Sequence, residues 1–103
     1  MKVKDQRYVD EETGEEYHHR QFLYMCPGCG FSHAFALREE GGHHQFNMDF
    51  DNPTVSPSLV ANFSPGRMCH SYIENGSIRF LTDCTHALAG QTVEIPEWIN
   101  EKE

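Results

Sequence analysis

Four cysteines and seven histidines carry most of the chemistry available to this chain. Cys26-Pro27-Gly28-Cys29-Gly30 is a C-x-x-C knuckle, in which a tight turn aims two thiolates at one point and Gly30 tolerates a positive φ just beyond it. Cys69 and Cys84 supply two further thiols. The N-terminus, MKVKDQRYVDEE, lacks the apolar stretch of an export signal, so the expected compartment is the reducing cytoplasm, where such a set binds metal in preference to forming disulfides. One structural zinc on Cys26, Cys29, Cys69 and Cys84 is the expectation. A redox C-x-x-C pair is the competing reading, and it lacks the βαβ pattern that usually surrounds one.

The histidines divide by context. His18-His19 and His43-His44 flank polar loops and read as solvated. His33 follows Cys29 by four residues and can be a ligand, a neighbour of the ligands or a surface residue; His86, two after Cys84, is the best substitute ligand. His70 stands beside Cys69 but points to the opposite face of an extended chain, which allows it a role in a different site or a plain surface position.

Positioning these groups falls to one small domain. The chain has 103 residues, 38% of them hydrophobic, and a formal charge of −8. That charge, with scattered basic residues, excludes a phosphate-backbone partner, so no nucleic acid is expected. No apolar run is long enough for a membrane span. A single domain over 1–103 follows, with its core in about 20–97. So small a core often recruits a metal.

The apolar periods are those of strands. Residues 21–25 and 31–37 flank the knuckle and predict a hairpin with the metal turn at its tip, and Glu39-Glu40-Gly41-Gly42 predicts a loop. Phe46, Met48 and Phe50 alternate with polar residues, which predicts a half-buried strand ended by Asp51-Asn52-Pro53. Residues 58–63 read as another strand, and residues 10–16 as an acidic turn. In residues 68–82, Asn75-Gly76 supplies the two positive φ values of a type I′ hairpin turn. Placing Glu74 opposite Ser77 puts Cys69, Ser71 and Ile73 on one face with Ile78, Phe80, Thr82 and, if the strand continues, Cys84. His70, Tyr72, Arg79, Leu81 and Asp83 take the other. Residues 86–90 predict a short helical turn closed by glycine, and 92–95 a last extended piece. The expected fold is mainly β: a small zinc-stabilised domain of hairpins, zinc-ribbon-like, with at most short helical turns.

The order of motifs then carries a resemblance. C-P-G-C-G-x-x-H at 26–33, P-T-V-S-P-S at 53–58, C-H-S-Y-I with the N-G turn and I-R-F-L at 69–81, and D-C-T-H-A-L-A-G-Q-T-V at 83–93 resemble a family of small bacteriophage and bacterial proteins. Some of its members carry the label ammonia monooxygenase without a visible basis. Relatives in bacterial ubiquitin-like conjugation operons are regarded as zinc-containing serine proteases with a serine-histidine dyad. Their proline-serine motif, followed by a histidine opening an aromatic-aliphatic strand, is similar to Pro57-Ser58 and His70-Ser71-Tyr72-Ile73. The resemblance thus implies Ser58 as nucleophile, His70 as base, and a protein or peptide substrate, with ubiquitin-like proteins among the candidates. The chain departs from those relatives in its single C-x-x-C and in the added Asp83-Cys84-Thr85-His86.

Chemistry sets a geometric condition on that pair. A serine hydroxyl needs a base within about 2.6 to 3.2 Å. In a regular hairpin across residues 64–67, Ala61 faces His70 and leaves Ser58 about 10 Å away. A dyad therefore requires the strand carrying Ser56-Pro57-Ser58 to be bent over the His70 face, which the two prolines favour. Asp83 shares that face and can orient the imidazole. Three functions compete: a serine peptidase or deconjugase, a non-enzymatic phage-type inhibitor or adaptor that binds a host protein, and a metal hydrolase using His33, His70 and His86.

Overall fold

The cysteine knuckle ends a hairpin whose strands are set by alternating aromatic and polar residues. In the computed structural model, which describes residues 1–9, 16–64 and 66–98, β1 (Val3–Val9) pairs antiparallel with β2 (Glu16–Met25), and β2 with β3 (Ser32–Phe35). Met25 stands opposite Ser32, so the turn between them is the knuckle itself. It is closed by bonds from Cys26 N to Phe31 O (3.1 Å) and from Gly30 N to Cys26 O (2.9 Å), with Gly30 at φ 83°. The acidic turn expected at 10–16 falls, but for Glu16, outside the described residues. His18 and His19 lie within β2 and not beside a loop.

A second antiparallel sheet runs in the order β4 (Gln45–Phe46), β5 (Val55–Ser64), β6 (Arg67–Glu74), β7 (Ser77–Phe80), β8 (Thr92–Glu94). The β6–β7 hairpin has the expected register, Glu74 opposite Ser77 and Ile73 opposite Ile78, around Asn75 and Gly76 at φ 48° and 84°. Its predicted inner face is buried at Cys69, Ser71, Ile73, Ile78 and Phe80, whereas Thr82, placed on that face by the register, lies beyond the strand's end and is exposed. The strand stops at Phe80, earlier than expected, and Cys84 arrives on a turn closed by Cys84 N to Leu81 O (3.2 Å). Residues 86–90 form a turn and not a helix.

The half-buried strand expected over 46–50 is not there. Pairing ends at Phe46, and Met48 takes φ 61° with its side chain exposed. Local side-chain bonds win over the ladder: Asn47 Oδ1 accepts from the backbone N–H groups of Asp49 and Thr54, and Asp49 Oδ1 from those of Asp51 and Asn52. Phe46 and Phe50 still pack inward, on Phe22. The loop expected at Glu39-Glu40 begins as a 3₁₀ turn, Arg38–Glu40, ended by Gly41 at φ 89°.

One cluster draws on both sheets, with Val3, Phe22, Tyr24 and Phe35 from the first and Val55, Leu59, Ile73, Ile78 and Phe80 from the second. Each such side chain stabilises the fold by about 1.5 to 3 kcal/mol relative to exposure. Cys26, Cys69 and Cys84 are buried within this cluster. No helix among the described residues is long and apolar enough to cross a membrane.

Candidate functional site

Two irregularities in β5 decide where Ser58 lies. Next to the turn, Ser64 pairs with Arg67, the register on which Ala61 would face His70. One extra residue between Asn62 and Ser64 shifts the ladder, so that Val60 faces His70 and Ala61 faces Cys69. Because strand faces alternate, that single step brings Ser58, two residues from Val60, onto the His70 face. Farther along, Val55 pairs with Ile73 while Leu59 pairs with Ser71, so residues 56–58 bulge, with a cis Ser56–Pro57 bond. Ser58 Oγ then sits 3.1 Å from His70 Nε2.

The imidazole is held on its other side. His70 Nδ1 lies 3.0 Å from Asp83 Oδ2. A carboxylate there selects the tautomer with hydrogen on Nδ1, which leaves Nε2 free to accept the serine proton. His70 is largely covered, its side chain 24% exposed, while Asp83 is half open to water. The backbone of His70 is gripped as well: its N–H donates to Cys84 Sγ (3.2 Å), its carbonyl accepts from the Cys84 thiol (3.1 Å) and from Leu81 N–H (2.9 Å). Ser58 has a clamp of its own, since its carbonyl accepts from His44 Nε2 at 3.2 Å. His44 is therefore half-buried and engaged, where its polar neighbours suggested a solvated residue. Nothing in the spacing of residues 44 and 58 announces this contact, because it depends on β4 pairing with β5, Gln45 opposite Ser56.

The sulfur centre lies on the inner face of the same strand. Cys26 Sγ, Cys29 Sγ, Cys69 Sγ and a ring nitrogen of His33 all lie within 4.8 Å of one another. Cys84 belongs to a second, adjoining group with Cys69 and His86. Three of the four cysteines named from the sequence are thus brought together, and His33 stands where Cys84 was expected. The Cys26–Cys69 separation of 3.8 Å equals the edge of a tetrahedron with metal–sulfur bonds of about 2.3 Å. Three soft thiols and one imidazole in that spacing fit a tetrahedral metal.

His86 is tied differently. Its Nδ1 accepts the Leu88 N–H at 3.2 Å, so in the neutral ring the hydrogen is on Nε2, which lies 3.6 Å from Cys69 Sγ. That nitrogen donates to sulfur and has no lone pair for a metal. The ring packs on Gly28, where a Cβ would come within 2.3 Å of it. The three histidines of the metal-hydrolase reading do not converge: His33 and His86 fall in different groups, and His70 is in neither.

The thiols share protons unequally. The hydrogen bond from Cys69 holds the Cys26 thiol down, to about 4, against the cost of burial, with His33 and the Cys29 and Gly28 N–H groups helping. Donating that bond pushes Cys69 well up, as does burial. Burial, followed by the charge on Cys26, raises Cys29 to about 11. The cluster accommodates one negative charge by itself, and three thiolates in this volume call for a cation.

Among known proteins, one family model matches, described as bacterial ubiquitination-like system serine protease (BubE), over residues 1–81. No curated protein and no solved structure matches the chain.

Proposed function

The chain belongs to that family of bacterial ubiquitination-like system serine proteases, and from this premise we propose that Ser58 is the nucleophile and His70 the general base of a peptidase or deconjugase acting on a protein substrate, ubiquitin-like in kind. The observation that carries the reading is the 3.1 Å contact of Ser58 Oγ with His70 Nε2, backed by Asp83 at 3.0 Å.

The chemistry runs on these three side chains. Ser58 Oγ attacks the scissile carbonyl carbon as its proton passes to His70 Nε2. Asp83 stabilises the imidazolium that forms. When the carbon–nitrogen bond breaks, His70 returns the proton to the leaving amine and an acyl ester stays on Ser58. Water, deprotonated by the same imidazole, then attacks the ester carbon; the bond to Ser58 Oγ breaks, His70 returns the proton to that oxygen, and the acid product leaves. His44 keeps the nucleophile's backbone in place, and Cys84 keeps the base's.

The metal in this reading is one structural zinc on Cys26, Cys29, Cys69 and His33, with His86 donating to Cys69 and Cys84 serving the His70 backbone. Bound there, it supplies a cross-link between the knuckle and β6, on the order of 10 kcal/mol of folding free energy.

A fluorophosphonate probe tests the nucleophile directly. Wild-type protein is expected to be labelled at Ser58, and Ser58→Ala and His70→Ala to lose both labelling and peptide hydrolysis, the double variant being no worse than either single one. Failure of the wild type to label, with no hydrolysis altered by Ser58→Ala, would leave a non-enzymatic binding module in its place.

A further inference from the structure

The face of the sheet that carries Ser58 and His70 continues on the next two cross-strand positions. Tyr72 follows His70 on the outer side of β6, and its partner across the hairpin is Arg79. The Arg79 guanidinium lies over the Tyr72 ring, 4.7 Å from its centroid, which fixes its direction. Tyr72 and Val60 are exposed apolar residues on this face, on either side of His70. Arg79, His70, Leu81 and Asp83 are among the residues lining a cleft of about 410 Å³.

Arg79 makes no ion pair among the described residues, in a chain with a charge of −8. The carboxylates nearest in register are otherwise engaged, Glu94 by Lys2 at 3.0 Å and Asp83 by His70. Glu74, diagonal to it across the hairpin, forms no salt bridge with it. An arginine with a fixed fork, an aromatic shelf and no acid of its own, in the cleft beside the base, suits a carboxylate brought by another molecule.

Resting on the hydrolase reading, we propose that Arg79 and Tyr72 are specificity-determining residues, which select a substrate segment with an acidic side chain close to the cleaved bond. From β5 to β7 is two strand spacings, about 10 Å, or about three residues of extended chain. The acidic residue therefore falls within three positions of the bond that Ser58 attacks, its carboxylate on the guanidinium and its methylenes along Tyr72. The cleft is open on this side, so the segment is an unfolded tail or linker laid across the strands.

The test is cleavage of a mixed peptide library, with sites read by mass spectrometry, by wild-type protein, Arg79→Gln and Arg79→Glu. Wild type is expected to favour Asp or Glu over Lys within three positions of the cut by about tenfold, Arg79→Gln to lose the preference, and Arg79→Glu to favour Lys. The gain of a new preference cannot come from damage to the fold. An identical profile for wild type and Arg79→Glu overturns the proposal while leaving the hydrolase reading intact. So does fluorophosphonate labelling of Ser58 without cleavage of any library peptide, because a local acidic side chain is then not what is recognised. A wild type that neither labels nor cleaves overturns both.

Discussion

Val60, and not Ala61, is the residue opposite His70. That one-residue displacement is the condition on which Ser58 and His70 share a face, and its source is the extra residue of β5 between Asn62 and Ser64. Deleting Phe63 removes the extra residue but leaves Asn62 on Met68 and Ser64 on Arg67, so Val60 still faces His70. Deleting Val60 instead puts Leu59 opposite His70 and turns Ser58 to the opposite face. The Phe63 deletion is expected to keep its strands by circular dichroism, its metal by mass spectrometry and most of its hydrolysis, whereas the Val60 deletion is expected to fall more than about 10³-fold in hydrolysis, the loss of one member of such a pair. Retained activity in the Val60 deletion would show that the register of β5 against His70 is incidental.

Asp83 acts on the tautomer of His70. Asp83→Asn keeps the shape but presents a group that can donate toward Nδ1, favouring the imidazole with its hydrogen on Nε2, where it cannot accept from Ser58. Since Asp83 is half exposed and water can partly replace it, the expected loss in kcat is about 10- to 100-fold, below the roughly 10⁴-fold known for buried triad carboxylates. Stability should hardly change. An unaltered kcat would remove Asp83 from the mechanism.

The ligand set has a direct measurement. Native mass spectrometry is expected to give one zinc per chain for wild type, Cys84→Ser and His86→Gln, and a loss of zinc for Cys26→Ser, Cys69→Ser and His33→Ala. Chelation should lower the melting temperature sharply, because a structural zinc supplies much of the stability of a small domain. Zinc lost with Cys84→Ser and kept with His33→Ala would return Cys84 to the cluster.

His44 contacts the proposed nucleophile through the Ser58 carbonyl. His44→Ala should therefore lower kcat about tenfold with KM nearly unchanged, and His44→Gln, which also carries an N–H donor, should recover part of it. Equal loss in both variants, together with a lower melting temperature, would mean that the ring matters for its packing on Phe35.

What could be read in the sequence is what local chemistry decides. Asn75-Gly76 fixes its own turn and so its register, and from that register the buried and exposed faces of β6 follow residue by residue. The knuckle likewise fixes the hairpin around it. The strand expected over Phe46, Met48 and Phe50 failed because period two is also what a loop shows when Asn47 and Asp49 turn back on their own backbone. The distance between Ser58 and His70 was illegible for a different reason. It depends on where β5 accommodates extra residues: Pro57 favours the irregular segment at 56–58, but the step between Asn62 and Ser64 has no such mark in the sequence. His33 was open as a ligand from its spacing to Cys29, but the choice between it and Cys84 rests on the strand ending at Phe80, a tertiary fact.

Cys69 precedes His70, and Asp83 precedes Cys84, so twice in the chain a residue of the sulfur groups and a residue of the hydroxyl–imidazole line are joined by one peptide unit. Consecutive Cα atoms across such a unit keep a separation of about 3.8 Å, so neither centre can drift without carrying the other. A descendant that sheds its cysteines would be expected to shed its hydrolytic chemistry with them. An inserted residue at either of those two junctions is expected to displace both centres at once.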